Sequence, residues 1–99
     1  MAKVKARYPA PILRLKKALV RDLETQSGIK AKVDIESVAL SRTNRLYRVW
    51  VLSPQFKPLW HSERQDLVWR IANRALSPDE QMRVSMILTM TPGELRGRE

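Results

Sequence analysis

Seven basic side chains carry most of the chemistry this sequence offers: Arg64, Arg70 and Arg74 at helical spacing, Arg83 ahead of the last apolar run, and Arg42, Arg45 and Lys57 in or beside polar connections. Guanidinium and ammonium groups at these positions can contact phosphate, because each contact neutralises a charge and releases condensed counterions. A solvated helix face would show the same residues, since surface helices are usually charged there. Two aromatic residues offer a different chemistry. Phe56 and Trp60 frame a loop, and Trp60, between Pro58 and His61, has no obvious reason for burial, so it reads as a base-stacking platform or a partner anchor. The remaining combinations are poor. His61 and Ser62 are sequence neighbours and seldom point at one another, and no oxyanion-hole motif accompanies them. Glu63 and Asp66 lie three apart on one helix, but Arg64 and Arg70 flank them, so ion pairing is the expected use. Met82, Met86 and Met90 read as core filling.

The chain has 99 residues, 19 Lys+Arg against 10 Asp+Glu, one histidine and no cysteine. That length is one ordinary domain, which buries roughly 60–70% of its unfolded surface. The formal charge of +9 draws in an anionic partner through its long-range field. Without cysteine there are no disulfides, thiolate nucleophiles or thiolate metal ligands. No catalytic residue, metal or cofactor is therefore expected, and the chain reads as a non-enzyme. No apolar run reaches the ~20 residues needed to cross a bilayer, so a cytoplasmic location without membrane contact is expected. The acid-free stretch before Asp22 also fits an organellar targeting segment, though a core-facing stripe inside it argues otherwise.

That stripe is Ile12, Leu15, Leu19 and Leu23, with Val20 beside it, and it predicts a helix from Pro11 to Gln26 that ends at a left-handed Gly28. Arg14, Lys17 and Arg21 line the opposite side. From Lys30 the period becomes two, with Ala31, Val33 and Ile35 inward; Val38 and Leu40 then fall out of phase, which predicts a bulge near Ser37. Arg45–Leu52 is the second strand of an antiparallel hairpin. It is expected to be central, with Tyr47, Val49 and Val51 on one side and Leu46, Trp50 and Leu52 on the other. Ser62 and Gln65 fit a capping box for a helix beginning at Glu63, with Leu67, Val68, Ile71, Ala72 and Ala75 buried and Asp66 paired to Arg70. Ser77-Pro78-Asp79-Glu80 opens a helical turn. Val84, Met86, Leu88 and Met90 form one face of a last strand, which Pro92-Gly93 ends. Trp50 and Trp69 read as core. Residues 1–10 form a basic N-terminal extension, 11–95 the domain and 96–99 a charged tail, with the chain loosely held from Glu94 onward. The order helix, strand, strand, helix, short helix, strand gives an α+β fold, a three-stranded sheet covered on one face by helices.

At this point the chain resembles the BolA family, whose fold is similar to a class II KH domain. In that family a Phe follows the second strand, an Arg-His-Arg triplet heads the next helix with a Val-Tyr pair beyond, and the last strand begins with His and ends Thr-Pro-Glu-Glu. Counted from Phe56, the first Arg of the triplet falls on Arg64, the Val on Val68 and the Tyr position on Trp69, while Thr91-Pro92 and Glu94 match the end. The resemblance spans residues 12–95 in element order and is residue-specific over the second half. It implies a non-enzymatic regulator that binds DNA, and monothiol glutaredoxin as a partner with which a [2Fe–2S] cluster is shared.

The departures fall on the family's chemistry. Gln65 and Asp66 replace the rest of the triplet, and Arg83 stands at the cluster-ligating His. The loop Ser41-Arg42-Thr43-Asn44, where the family places its other ligand, has neither His nor Cys. Arginine stays protonated and has no lone pair for iron. Nor does a Gly-x-x-Gly clamp of the KH type occur among Gly28, Gly93 and Gly97. The expectation is therefore DNA or RNA binding by Arg42, Arg45, Lys57, Arg64, Arg70, Arg74 and Arg83. The alternative is an adaptor that presents Phe56 and Trp60 to a glutaredoxin or another acidic partner after losing the cluster ligands.

Overall fold

Four helices and a three-stranded sheet account for most of residues 8–97, the part of the chain that the computed structural model describes. The elements are α1 (Ala10–Ser27), β1 (Lys32–Ala39), β2 (Arg45–Leu52), a 3-10 turn (Pro54–Phe56), α2 (His61–Ala75), α3 (Pro78–Gln81), β3 (Val84–Met90) and α4 (Pro92–Gly97). The strand order is β1-β2-β3, with β1 and β2 antiparallel and β2 and β3 parallel. A parallel pair cannot be joined by a tight turn, so α2 and α3 make the crossover. The result is the expected α+β architecture, with β2 central.

The α1 stripe lands as its spacing requires: Ile12, Leu15, Leu19 and Leu23 are buried, while Val20 is exposed. Gly28 ends the helix with φ 67°, a left-handed conformation that costs glycine little, and the Gly28 and Ile29 N–H groups turn back to the Glu24 and Leu23 carbonyls. α1 packs on α2 and β1, and α2 packs on β3. Between the helices and the sheet lie Val33, Tyr47, Val49, Val51, Phe56, Val68, Ile71, Val84 and Ile87. On the opposite face of the sheet Trp50 is half-buried beside Asp34, Glu36, Leu52 and Leu95 of α4. Trp50 is thus not core. Trp69 is partly buried against the core, as expected.

The other corrections are local. β1 runs straight in one register against β2, from Lys32 opposite Leu52 to Ala39 opposite Arg45, with no bulge near Ser37. Val38 and Leu40 leave the apolar phase because the strand turns them to the face that carries Trp50. The irregularity is on β3. Val84 pairs with Tyr47 and Met86 with Arg48, so Ser85 is the extra residue. The shift puts Ile87 and Thr89 inward and leaves Met86 43% exposed, which reverses the expected phase of the strand beyond Val84. α2 starts two residues early, at His61, with the Glu63 carboxylate accepting from the Trp60 N–H at 2.8 Å.

Pro92-Gly93 does not end in a loose tail. α4 forms there, and Thr91 and Glu94 close a reciprocal capping box: the Thr91 hydroxyl accepts from the Glu94 N–H at 3.1 Å, and the Glu94 carboxylate accepts from the Thr91 N–H at 3.0 Å. At the other end, residues 1–7 of the expected extension lie outside the described residues. Tyr8 packs its ring edge-on against Tyr47 with centroids 6.0 Å apart, so this part of the extension belongs to the fold.

Candidate nucleic-acid interface

The seven basic candidates do not make one surface. Arg64 is 3% exposed. Its Nε donates to the Phe56 carbonyl at 3.0 Å and the Leu59 carbonyl at 3.1 Å, while its two Nη atoms grip the Glu94 carboxylate at 2.8 and 3.1 Å. A guanidinium with all three nitrogens engaged inside the protein is not available to phosphate, and Arg64 is removed from the candidate interface. Phe56 is fully buried, with the Arg64 guanidinium 5.7 Å from its ring centre, so it is not presented to a partner either. Trp60 is 78% exposed.

The hairpin loop and the start of β3 bring together two residues far apart in sequence. The Tyr47 N–H donates to the Arg83 carbonyl at 2.7 Å, which fixes Arg83 beside the end of the hairpin. Arg45 and Arg83 then line a cleft of about 470 Å³ with Leu40, Thr43, Asn44, Tyr47, Asp79 and Met82. Arg42 is exposed in the same loop. The loop itself is held by Ser41, whose hydroxyl accepts from the Asn44 N–H at 3.1 Å, while Arg45 donates to the Ser37 hydroxyl at 3.0 Å. Arg83 is therefore placed beside Arg45 at the end of the hairpin, a placement that spacing alone left open.

Arg74 belongs to a second groove of about 620 Å³, between α1 and α2, whose other basic lining residues are Arg14, Lys17 and Arg21. Here the charges are partly spoken for. Arg14 reaches Glu80 at 2.6 Å and the Ala75 carbonyl at 2.8 Å, Arg21 reaches Asp22 at 2.7 Å, and Arg74 donates to Gln26 at 3.2 Å. The Ser77 N–H, followed by Arg14, holds the Glu80 carboxyl below its ordinary range. α3 divides the two clefts, for Asp79 lines the first and Glu80 binds an arginine of the second. Lys57 lines a third depression with Glu94 and Arg96. Arg70 is exposed on α2 and lines none of the three, and the expected Asp66–Arg70 pair does not form. Among the described residues the ion pairs are Arg14–Glu80, Arg21–Asp22, Arg48–Glu36 and Arg64–Glu94, so Arg42, Arg45 and Arg83 carry uncompensated charge.

Gln65 has a structural use. Its amide donates to the Ile87 carbonyl at 2.9 Å and the Thr89 hydroxyl at 3.3 Å and accepts from the Trp69 indole at 3.1 Å, tying α2 to β3. The hairpin cleft does not suit a cluster held by thiolates or imidazoles: its polar lining is two guanidinium groups, one amide, one hydroxyl, one phenol, one carboxylate and a thioether. His61, the one histidine, opens α2 instead. Among the described residues no group of three or more His, Asp or Glu side chains is placed to hold a metal. None of the helices there is long and apolar enough to cross a membrane.

No protein-family profile matches the chain. No curated protein matches it. Among solved structures, it is similar to a bol-like protein from Babesia bovis, at 21% identity over 84% of this chain and 91% of the other, with a TM-score of 0.38.

Proposed function

We propose that this chain is a non-enzymatic, BolA-like basic domain that binds nucleic acid, with Arg42, Arg45 and Arg83 as its principal phosphate contacts. One observation carries the reading: Arg45 at the head of β2 and Arg83 just before β3 line one cleft beside the loop that exposes Arg42, and among the described residues none of the three forms an ion pair. Asp79, in the same cleft, pairs with none of them. A strand of nucleic acid that crosses α3 reaches the second groove and its Lys17 and Arg74, while Arg70 and Lys57 contribute long-range field alone.

The test is fluorescence anisotropy on nuclease-treated protein with labelled duplex DNA and single-stranded RNA across a salt series. The variant Arg42→Gln/Arg45→Gln/Arg83→Gln is expected to flatten the log-affinity against log-salt slope by about 2–3 units, near one per lost phosphate contact. An unchanged slope would remove the cleft from the interface.

The exposure of Trp60 supports a second reading, an adaptor that docks a protein partner such as an acidic protein or a glutaredoxin at the start of α2. Trp60→Ala is expected to change stability by less than about 0.5 kcal/mol, because the ring contributes little to the core. Under the adaptor reading it also abolishes capture of a protein partner that survives nuclease treatment. Capture that is indifferent to Trp60 rejects this reading.

A further inference from the structure

From Ile29 to Glu36 the chain alternates without a break. Ile29 and Val33 are buried and Ala31 and Ile35 half-buried, whereas Lys30, Lys32, Asp34 and Glu36 are exposed. The exposed row is ordered, two cations followed by two carboxylates, so an antiparallel copy of the same segment sets every cation against a carboxylate. β1 is an edge strand, with β2 on one side and no strand on the other among the described residues. Its even-numbered residues hydrogen-bond to β2, since the Leu40 N–H donating to the Asn44 carbonyl carries the ladder one step past the strand in that phase. The backbone groups of the odd-numbered residues therefore point outward. The Tyr8 hydroxyl reaches the Ile35 carbonyl from that side, at 2.9 Å.

We propose that the β1 edge is a homodimer interface, on which a second copy of this chain pairs antiparallel about Val33 to make a six-stranded sheet. In this register Lys32 lies opposite Asp34 of the partner subunit and Lys30 opposite Glu36 of the partner subunit, each pair occurring twice by symmetry. Val33 meets its own copy and Ala31 meets the partner's Ile35, so the apolar residues also share one face. Centring the pair on Ile35 instead sets Asp34 against the partner's Glu36, a like-charge contact that an antiparallel pair penalises. Centring it on Asp34 keeps the outward-pointing odd-numbered residues paired but sets the Asp34 carboxylate against its own copy, again a like-charge contact. Among the described residues of one chain Lys30, Lys32 and Asp34 make no ion pair, and Glu36, bonded to Arg48 at 2.9 Å, sits between Arg48 and the partner's Lys30. The Ile35 carbonyl keeps a second lone pair for the partner after accepting from Tyr8.

The test is sedimentation equilibrium on the full chain, at up to several hundred micromolar because an edge pairing of this size is a weak, low-area interface. The wild type is expected to approach twice the monomer mass. Lys30→Glu/Lys32→Glu and Asp34→Lys/Glu36→Lys, each repelling its own copy, are expected to remain monomers at the same concentration, and their equimolar mixture is expected to recover the dimer mass. Amide exchange gives a readout that needs no substitution: the Val33 and Ile35 N–H groups of the wild type gain protection as concentration rises. A wild type that is monomeric at every concentration, with no such gain, overturns the proposal. So does a mixture of the two folded charge-reversed variants that fails to associate, or a charge-reversed variant that dimerises as well as the wild type.

Discussion

Arg64→Ala is expected to lower folding stability by about 2–4 kcal/mol, because a buried guanidinium is lost and two carbonyls lose their donor, while the Glu94 carboxylate, 39% exposed, returns to water. The substitution does three things at once. It leaves the Phe56 and Leu59 carbonyls without their donor, releases the Glu94 carboxylate, and uncovers one face of the Phe56 ring. The loop after β2, the first turn of α2 and α4 are thereby disconnected in a single step. Arg64→Lys separates charge from geometry, because a lysine ammonium cannot fork onto a carboxylate and two carbonyls together; it should recover only a minor part of the loss. Denaturant titration with linear extrapolation measures both, and a loss below about 1 kcal/mol for Arg64→Ala would show that the clasp is unimportant. The same clasp predicts an acid limb. Arg64, then the Thr91 N–H, depresses the Glu94 carboxyl from its ordinary 4.5 to about 2. A depressed carboxyl contributes stability above the unfolded value, and that contribution is lost as pH falls through the folded one. The difference in stability between wild type and Glu94→Gln is expected to be constant above about pH 4.5 and to shrink toward pH 2. A difference that stays level across that window would mean the carboxyl titrates normally.

Phe56→Ala is expected to cost about 3–5 kcal/mol, the usual range for deleting a fully buried phenylalanine. Its ring lies between the sheet and α2 with no exposed surface, and its own carbonyl is one of the Arg64 acceptors. Truncation opens a cavity that the closing 3-10 turn, pinned by the Ser53 hydroxyl accepting from the Gln55 N–H, is poorly placed to fill. Phe56→Leu retains most of the volume and should lose less than half as much. Because Phe56 and Arg64 share contacts, the double Ala variant should fall well short of the sum of the two, and strict additivity would count against the shared contact. Both variants also bear on function. Loss of nucleic-acid or partner binding in either reports a damaged fold, which is why neither serves as an interface probe.

Long periodic segments were legible in the sequence because burial alone sets them: the α1 stripe, the alternation of β2 and the left-handed Gly28. The phase of β3 was not. Met86, Ile87, Leu88 and Met90 are apolar on both faces, so nothing in the pattern marks Ser85 as the bulged residue. α4 did leave a signal, since Thr91-Pro92-Gly93-Glu94 has capping-box spacing; Pro92-Gly93 read as a stop obscured it, although proline suits the first turn of a helix. The candidate site divides in the same way. The charge of Arg42, Arg45 and Arg83 was plain, but the meeting of Arg45 with Arg83 depends on a β2–β3 pairing between residues far apart in sequence. The burial of Arg64 rests on Glu94, a partner equally distant in sequence, and no local rule marks one helical arginine as internal while Arg70 and Arg74 stay outside.

The parallel pairing of β2 with β3 also decides when the fold can form. β1 and β2 are adjacent in the chain and joined by a short loop, so they can meet early, whereas β2 must wait for a strand that begins at Val84. During synthesis, until Val84–Met90 has left the ribosome, the central strand has an open edge, Gln65 has no Ile87 carbonyl to bind, and Arg64 has no Glu94. The nascent chain therefore carries its aggregation hazard in the middle, around Tyr47–Val51, and discharges it only when its last strand arrives.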